Sequence, residues 1–388
     1  MKSLFKYRAA FPARPRRARL DGFLRVLAAG ALAISMHAGE WRMGVVEAAV
    51  GGRYSSLRVD KYGNAHVCSN SPTNNTLAYA FWDHAANKWF TTVLDASSGF
   101  CSLVLDSQQR PHISYIGYGN GRLKYAYWTG NSWNKQEIEI KATRVISYNT
   151  SIALDSEDHP SISCYEEGIR LRVVRWNGKF WETRTVDNDQ GSGKFNSMGM
   201  ASGGHPEVAY GNVEYKNASL RFARWNGSAW DVEVLEGEGM PGTSMWSVAL
   251  LVDQADVPHI AYTDVQHKLI KYAVKRGGKW DLQIVDGIAG VGYPDRNGIA
   301  VDEHGNVYIS YFDAGGGLLK LAYKKDQKWV NEVVDSQSAG ITSCLRIVGD
   351  SIWLTYGDET GEGLRYARGS LLPSSSEANP ASPGGMSK

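Results

Sequence analysis

Cysteine is scarce in this chain: Cys68, Cys101, Cys164 and Cys344 are the full complement of its 388 residues. No two of them form a Cys-x-x-Cys pair, which excludes a zinc ribbon or a thioredoxin-like redox motif. A chain this long buries a large core without staples, so the thiols are expected to be free and buried, with a bond between neighbouring structural units as the alternative. Net charge is also lacking, at +2 overall. Part of that belongs to an arginine-rich leader, leaving the remainder close to neutral or slightly acidic. Without a basic stripe to neutralise phosphates, a nucleic-acid partner is excluded. His-Glu-x-x-His and similar metal-ligand spacings are missing. Long apolar runs are missing too. The best, Val26 to Ile34, is too short to span a bilayer.

What the chain has is a tryptophan at near-constant spacing: Trp89, Trp133, Trp181, Trp230, Trp280 and Trp329, with Trp41 standing alone near the start. A period within the 20–50 range, built of β-branched and aromatic segments between Gly/Asn turns, marks an array of small antiparallel sheets. The clearest copy runs through Ser151-Ile152-Ala153-Leu154-Asp155, Pro160 to Tyr165, Arg170 to Trp176, and Trp181 to Asp187. That is four strands, with Asn177-Gly178 between the third and fourth predicting a type I′ hairpin; the dipeptide returns at Asn226-Gly227.

Seven first strands align, beginning at Ser56, Ser102, Ser151, Ser197, Ala249, Gly298 and Ser343. The last unit stops after three strands, at Leu364-Arg365-Tyr366-Ala367, whereas Trp41 to Val46 has the pattern of a fourth strand and precedes the first unit. The expected fold is therefore all-β, a seven-bladed β-propeller of four-stranded antiparallel blades over residues 39–370. Its N-terminal strand completes the last blade, because ring closure removes two open edges.

Residues 1–38 read as a secretory signal, with Arg14, Arg16, Arg17, Arg19 and Arg25 before the apolar stretch and a small-residue end at Ala38; an uncleaved anchor is the alternative. Residues 371–388 read as a disordered Ser/Pro/Gly tail. Together these predict a secreted, periplasmic or cell-envelope protein with no membrane span in its mature form.

In a repeat, residues that recur in register build the blade, and those that break register are candidates for function. Asp60, Asp106, Asp155, Asp253 and Asp302 each end a first strand, where a carboxylate accepts turn N–H groups. His66, His112 and His259 share one second-strand position, and His159, His205 and His304 one turn. The regular tryptophans suit packing between blades.

The departures gather on the face where blades join. Tyr54, Phe100, Tyr148, Phe195, Trp246 and Tyr293 precede the first strands of six blades; as a ring they would stack on sugar faces, and as plugs they would fill the gaps between blades. Arg58 and Arg346 occupy a third first-strand position that holds Val104, Ala153, Gly199, Leu251 or Ala300 elsewhere. They lie in blades that adjoin across the ring closure, a pair suited to gripping a carboxylate or sulfate. Acids also break register in the same loops: Glu166, Glu167, Glu214, Asp264, Asp313, Asp358 and Glu359, with His267 and Tyr118 near them. A carboxylate pair would serve glycoside hydrolysis if the spacing allowed. Asp187 and Asp189, in Asp-Asn-Asp-Gln-Gly-Ser-Gly, form a fragment of a calcium loop, with an ordinary turn as the simpler account. The ligand-binding candidates are Arg58, Arg346, Tyr54, Tyr148, Trp246, His267 and Tyr293, with no catalytic residue and no cofactor assigned.

Segments such as Val301-Asp302-Glu303-His304-Gly305-Asn306-Val307-Tyr308 and Leu123-Lys124-Tyr125-Ala126 resemble the secreted bacterial propeller repeats grouped with the sialidase-like, BNR (Asp-box) superfamily. The resemblance covers nearly the whole ring. It lacks a true Asp-box: the turn between third and fourth strands reads Trp176-Asn177-Gly178-Lys179-Phe180-Trp181. A sialidase-like site implies three arginines around a carboxylate with a Tyr/Glu pair, of which Arg58 and Arg346 supply two. The expected function is a non-catalytic propeller binding a glycan, peptide or cell-surface protein through its loop-rich face. The alternatives are a carbohydrate-active enzyme, hydrolase or lyase, acting on an acidic sugar, and an assembly scaffold.

Overall fold

A computed structural model describes residues 41–47, 51–71, 73–96, 98–140, 146–166, 170–212, 218–237, 245–292, 296–337, 339, 342–358, 360 and 363–371. The leader and the tail lie outside the described residues, as does Tyr293. Seven four-stranded antiparallel sheets make up the seven blades of a propeller. Blades one to six span 53–95, 101–137, 146–187, 192–236, 245–287 and 298–335. Blade seven takes three strands from 343–370 and its outermost from Arg42–Glu47, which pairs with Leu364–Ser370. The closure expected from Trp41 to Val46 is the one observed.

Second strands are buried along all or nearly all of their length, as in Pro111–Ile116 and Val307–Asp313, because both faces pack against neighbouring blades and the strand sits inside its own sheet. Fourth strands such as Trp133–Glu137 and Trp230–Glu236 are mostly exposed or half-buried, which makes them the rim. The core is a chain of apolar clusters straddling successive blades. One holds Ile270, Tyr272 and Val285 of blade five with Ile299, Ile309 and Tyr311 of blade six. First strands are innermost and line the channel.

Two local expectations are corrected. Trp176 pairs with Trp181 and Trp225 with Trp230, so the Asn-Gly hairpins have four-residue loops, not type I′ turns of two. Gly178 and Gly227 have φ of 91° and 100°, while each Asn caps the loop by accepting from the backbone, Phe180 N to Asn177 at 3.0 Å and Ala229 N to Asn226 at 2.9 Å. In blade seven, Cys344 pairs with Thr355 as Ser56 pairs with Cys68. Cys344, rather than Ser343, thus opens the register, and Arg346 falls on the position of Arg58.

Candidate functional site: the arginine-lined channel

The first strands enter the ring through a repeated irregularity. Register shifts fall between Arg53 and Ser56, Ser147 and Thr150, Lys194 and Ser197, and Trp246 and Ala249. At this point Tyr54, Phe195 and Ser247 hold φ of 54°, 52° and 55°, left-handed backbone that costs a non-glycine residue about 1 kcal/mol or more. A bulge kept at one place in several blades turns the entering chain toward the axis. Below it, serines clamp blade to blade: Leu103 N donates to Ser56 Oγ at 3.0 Å, Met198 N to Ser151 Oγ at 3.0 Å and Leu250 N to Ser197 Oγ at 3.0 Å. Cys344 takes the same role toward Leu57 N, at 3.3 Å.

The space enclosed is a cavity of about 330 Å³ whose walls carry Arg58, Arg296 and Arg346 among serines, asparagines and small apolar residues. Asp, Glu, His and Tyr are missing from its described lining. Arg58 donates to Leu57 O at 2.8 Å and Arg346 to Leu345 O at 2.6 Å, one backbone carbonyl each. Arg296 enters from blade six and reaches Cys101 O in blade two, at 3.3 Å, and the Asn149 carboxamide oxygen in blade three. Among the described residues, none of these guanidiniums meets a carboxylate. Burial in the channel wall, with repulsion from Arg296 adding to it, holds the Arg58 guanidinium below its ordinary pKa. A charge in that state is stabilised by an incoming anion.

The structure thus brings Arg58 and Arg346 to one cavity and adds Arg296, which sequence reasoning passed over. Tyr54 packs at a tilt against Phe100 with ring centroids 4.0 Å apart, and Trp246 against Phe195 at 5.8 Å. These are pairs across blade boundaries, and neither Tyr54 nor Trp246 lines the channel cavity. The Tyr148 backbone lies in strand Ile146–Leu154; its side chain is outside the described residues. His267, exposed on the turn after Asp264, is held by that carboxylate at 2.8 Å and is likewise absent from the cavity lining.

Most other chemistry-bearing groups form nets repeated around the ring. His66, His112 and His259 each bond a third-strand tyrosine, Tyr79, Tyr125 or Tyr272, at 2.7, 2.5 and 2.6 Å, and face Asp60, Asp106 or Asp253. Burial lowers all three histidine pKa values. A second net joins a second-strand tyrosine, an acid of the preceding blade and a cation: Tyr115, Asp95 and Lys124; Tyr262, Glu236 and Lys271; Tyr311, Asp286 and Lys320. Asp187 belongs to the same series. Its carboxylate accepts from Tyr210 and from Arg221, both at 2.8 Å, and Arg221 also holds Asp189 at 2.6 Å. The acids expected as a calcium fragment are therefore joined by a guanidinium. Among the described residues no cluster of three or more His, Cys, Asp or Glu side chains is placed to hold a metal ion.

No family model matches the chain, and no curated protein sequence does. Solved structures do. An ulvan lyase bound to a -[GlcA(1-4)Rha3S]- saccharide matches with a TM-score of 0.60 at 14% identity, over 85% of this chain and 96% of that one. The polysaccharide lyase Uly1 matches at 0.52 and 11% identity, over 92% and 94%. A six-bladed fucose-recognising lectin of Aleuria aurantia matches at 0.52 and 12% identity, over 74% and 98%. At such identities the likeness is one of fold. The protein is a seven-bladed β-propeller whose structural neighbours include propeller lectins and polysaccharide lyases. No helix among its described residues is long and apolar enough to cross a membrane.

Proposed function

We propose that the protein is an exported, non-catalytic propeller that binds a glycan bearing carboxylate or sulfate groups at the channel. The observation that carries this reading is the cavity with Arg58, Arg296 and Arg346 on its walls and no acid among its described lining. Guanidiniums grip such oxyanions through paired N–H bonds. Where the guanidinium is buried in the channel wall, as at Arg58, each bond is worth more than at an open surface. Binding without turnover is supported by the same lining, whose described residues offer no carboxylate, imidazole or phenol for proton transfer. The neighbours named for a uronic acid and sulfated rhamnose repeat, and for fucose, agree with a saccharide ligand. Export of residues 39–370 by the leader 1–38, to the cell envelope or beyond, belongs to the same reading.

The competing reading is a lyase or sialidase-like hydrolase of an acidic sugar, in which the same arginines would neutralise the carboxylate. The test is an array of neutral, uronic and sulfated glycans probed with the mature ring, with released or unsaturated sugar assayed in parallel. We expect retention of acidic glycans without product. An Arg58→Ala/Arg346→Ala variant should lose at least about tenfold in affinity, equal to about 1.4 kcal/mol. Product formation would make the protein an enzyme, and unchanged retention in the double variant would remove the channel from the account.

A further inference from the structure

The repeat breaks a second time, on the opposite face and far less visibly. At three boundaries a third-strand tyrosine packs edge-on against the tryptophan that opens the next blade's fourth strand. The pairs are Tyr79 and Trp133 at 4.9 Å, Tyr125 and Trp181 at 5.5 Å, and Tyr272 and Trp329 at 5.6 Å. Phe222 and Trp280 do the same at 5.1 Å. Between blades three and four the position belongs to Val173, which pairs with Ser163 as Tyr79 pairs with Cys68 and Tyr125 with Ser114. The histidine that would hold the phenol is Ser161, in register with Ala153 as His66 is with Arg58. A ring and its imidazole are missing together, and a cavity of about 460 Å³ lined by Val173 and Trp230 stands in their place.

A further substitution removes the acceptor that two other tryptophans of this position use. Trp280 Nε1 donates to Glu233 at 3.0 Å and Trp329 Nε1 to Gln283 at 3.2 Å. By register the corresponding residue before Trp230 is Arg184, opposite Val173 as Glu233 is opposite Phe222. Arginine only donates, so it cannot accept from the indole, and Trp230 Nε1 is buried without a partner among the described residues. Arg184 lies instead over the Trp225 ring, 4.4 Å from its centroid, and pairs with Glu182 at 3.3 Å. The opening is left uncovered by Gly203 and Gly204, at φ of 78° and 74°, in the facing turn of blade four.

We infer that this cavity between blades three and four is a saccharide-binding site for a neutral pyranose unit, separate from the channel. Its indoles Trp176 and Trp230 offer apolar area to the C–H side of a sugar ring, while Trp225 carries Arg184 over one face. Its polar groups are already paired with one another: Arg175 with Asp155 at 2.9 Å, His159 Nδ1 between Asp155 and Glu157, and Arg184 with Glu182. Such pairs present donors and acceptors side by side, which suits hydroxyl groups. An anion would meet three carboxylates, and an apolar ligand would strand the charges. The volume lies within the range of small-molecule sites.

The experiment is saturation-transfer NMR on the full chain with methyl glycosides of glucose, galactose, mannose, fucose, rhamnose and N-acetylglucosamine. Val173→Tyr restores the residue that four other boundaries carry and fills the cavity, so it should abolish the signal while leaving the melting temperature unchanged or higher. Arg184→Ala, on the exposed strand, is the second variant and should weaken binding at least about tenfold. Arg58→Ala/Arg346→Ala should leave the neutral glycosides bound, whatever becomes of the acidic glycans at the channel. Silence across the neutral panel, or binding that survives both Val173→Tyr and Arg184→Ala, would overturn the assignment. Binding lost only in the channel variant would overturn it too, by moving the neutral sugar to the channel.

Discussion

The guanidinium of Arg296 in blade six hydrogen-bonds the carboxamide oxygen of Asn149 in blade three, across the channel. A second bond ties it to Cys101 O in blade two. Arg296 is thus a brace as well as a positive charge, and the two roles separate by mutation. Arg296→Ala removes both, so it should lower the melting temperature by a few degrees and weaken acidic-glycan retention. Asn149→Ala removes the anchor but keeps the charge, so it should destabilise the ring while retention holds or improves. A hydrogen bond to a charged group is worth about 1.5–3 kcal/mol, enough to read in a thermal melt. Equal loss of retention in both variants would show that Arg296 only braces.

Cys68 and Cys101 sit in neighbouring blades with their sulfurs 2.7 Å apart. Both are buried thiols in the structure, and a bond needs the sulfurs at about 2.05 Å. A small approach therefore suffices. Refolded with a disulfide-exchange oxidant such as oxidised glutathione, which reaches the thiols before they are buried, the pair should lose two protons and two electrons to it and close an inter-blade disulfide. Thiol titration of the unreduced, denatured protein should then count only Cys164 and Cys344. All the thiols reacting after such refolding would refute the prediction.

Much of the ring was legible because its causes are local. Fourth-strand tryptophans, turn aspartates and the stray strand at Trp41 follow from alternation and hairpin chemistry, and each blade repeats them. Arg58 and Arg346 were legible because arginine among Val104, Ala153 and Leu251 is a chemical anomaly in a strand. Arg296 was not. It precedes its strand in an irregular segment, and its reach to Asn149 exists only once blades three and six face each other. Val173 was harder still, because a valine in a strand looks ordinary. Its meaning lies in the tyrosine it replaces and in Trp230 of the next blade, a relation that register alone reveals. Asp187 misled for the opposite reason: two acids in a glycine-rich turn resemble a metal loop until Arg221, remote in sequence, is placed between them.

Glu207 is fully buried, bonded on one oxygen by Arg224 at 2.5 Å and, among the described residues, without a partner on the other. Burial, only partly offset by Arg224, pushes its carboxyl up to about 7. A raised acid favours the protonated form in the folded state. The stability it contributes is therefore complete below the unfolded value of about 4.3 and is lost as pH climbs through about 7. The lowered histidines His66, His112 and His259 act oppositely, gaining stability as pH rises toward about 6.5. Glu207→Gln isolates the carboxyl. Melting temperatures of the two proteins should converge at acid pH and separate by several degrees at pH ~8, the variant being the more stable. A constant difference across that range would mean that Glu207 does not titrate there.

Ring closure makes the last prediction. Arg42–Glu47 pairs with Leu364–Ser370 from Arg42 opposite Arg368 to Glu47 opposite Leu364, and Trp41 packs against the cluster of Leu321, Leu354 and Ala367. Removing residues 1–47 would expose the Leu364–Ser370 edge and cut the covalent link between the last and first blades. Exposed edges recruit other chains, so this truncation should aggregate and melt at least about 10 °C lower, the loss of several kcal/mol in a domain of this size. The strand's value should lie in its pairing and not in its place in the chain. A permutant that begins at Gly51 and carries residues 41–47 after Leu371, joined by a four-residue Asn-Gly loop like that at 177–180, makes blade seven continuous like the other six. Its melting temperature should return close to that of the parent, and it should stay monodisperse in size-exclusion chromatography. If the permutant aggregates like the truncation, the strand acts through its connection to blade one. If the truncation melts like the parent, the ring is held by its inner strands, and the clamp from Leu57 N to Cys344 Sγ between blades one and seven carries the closure.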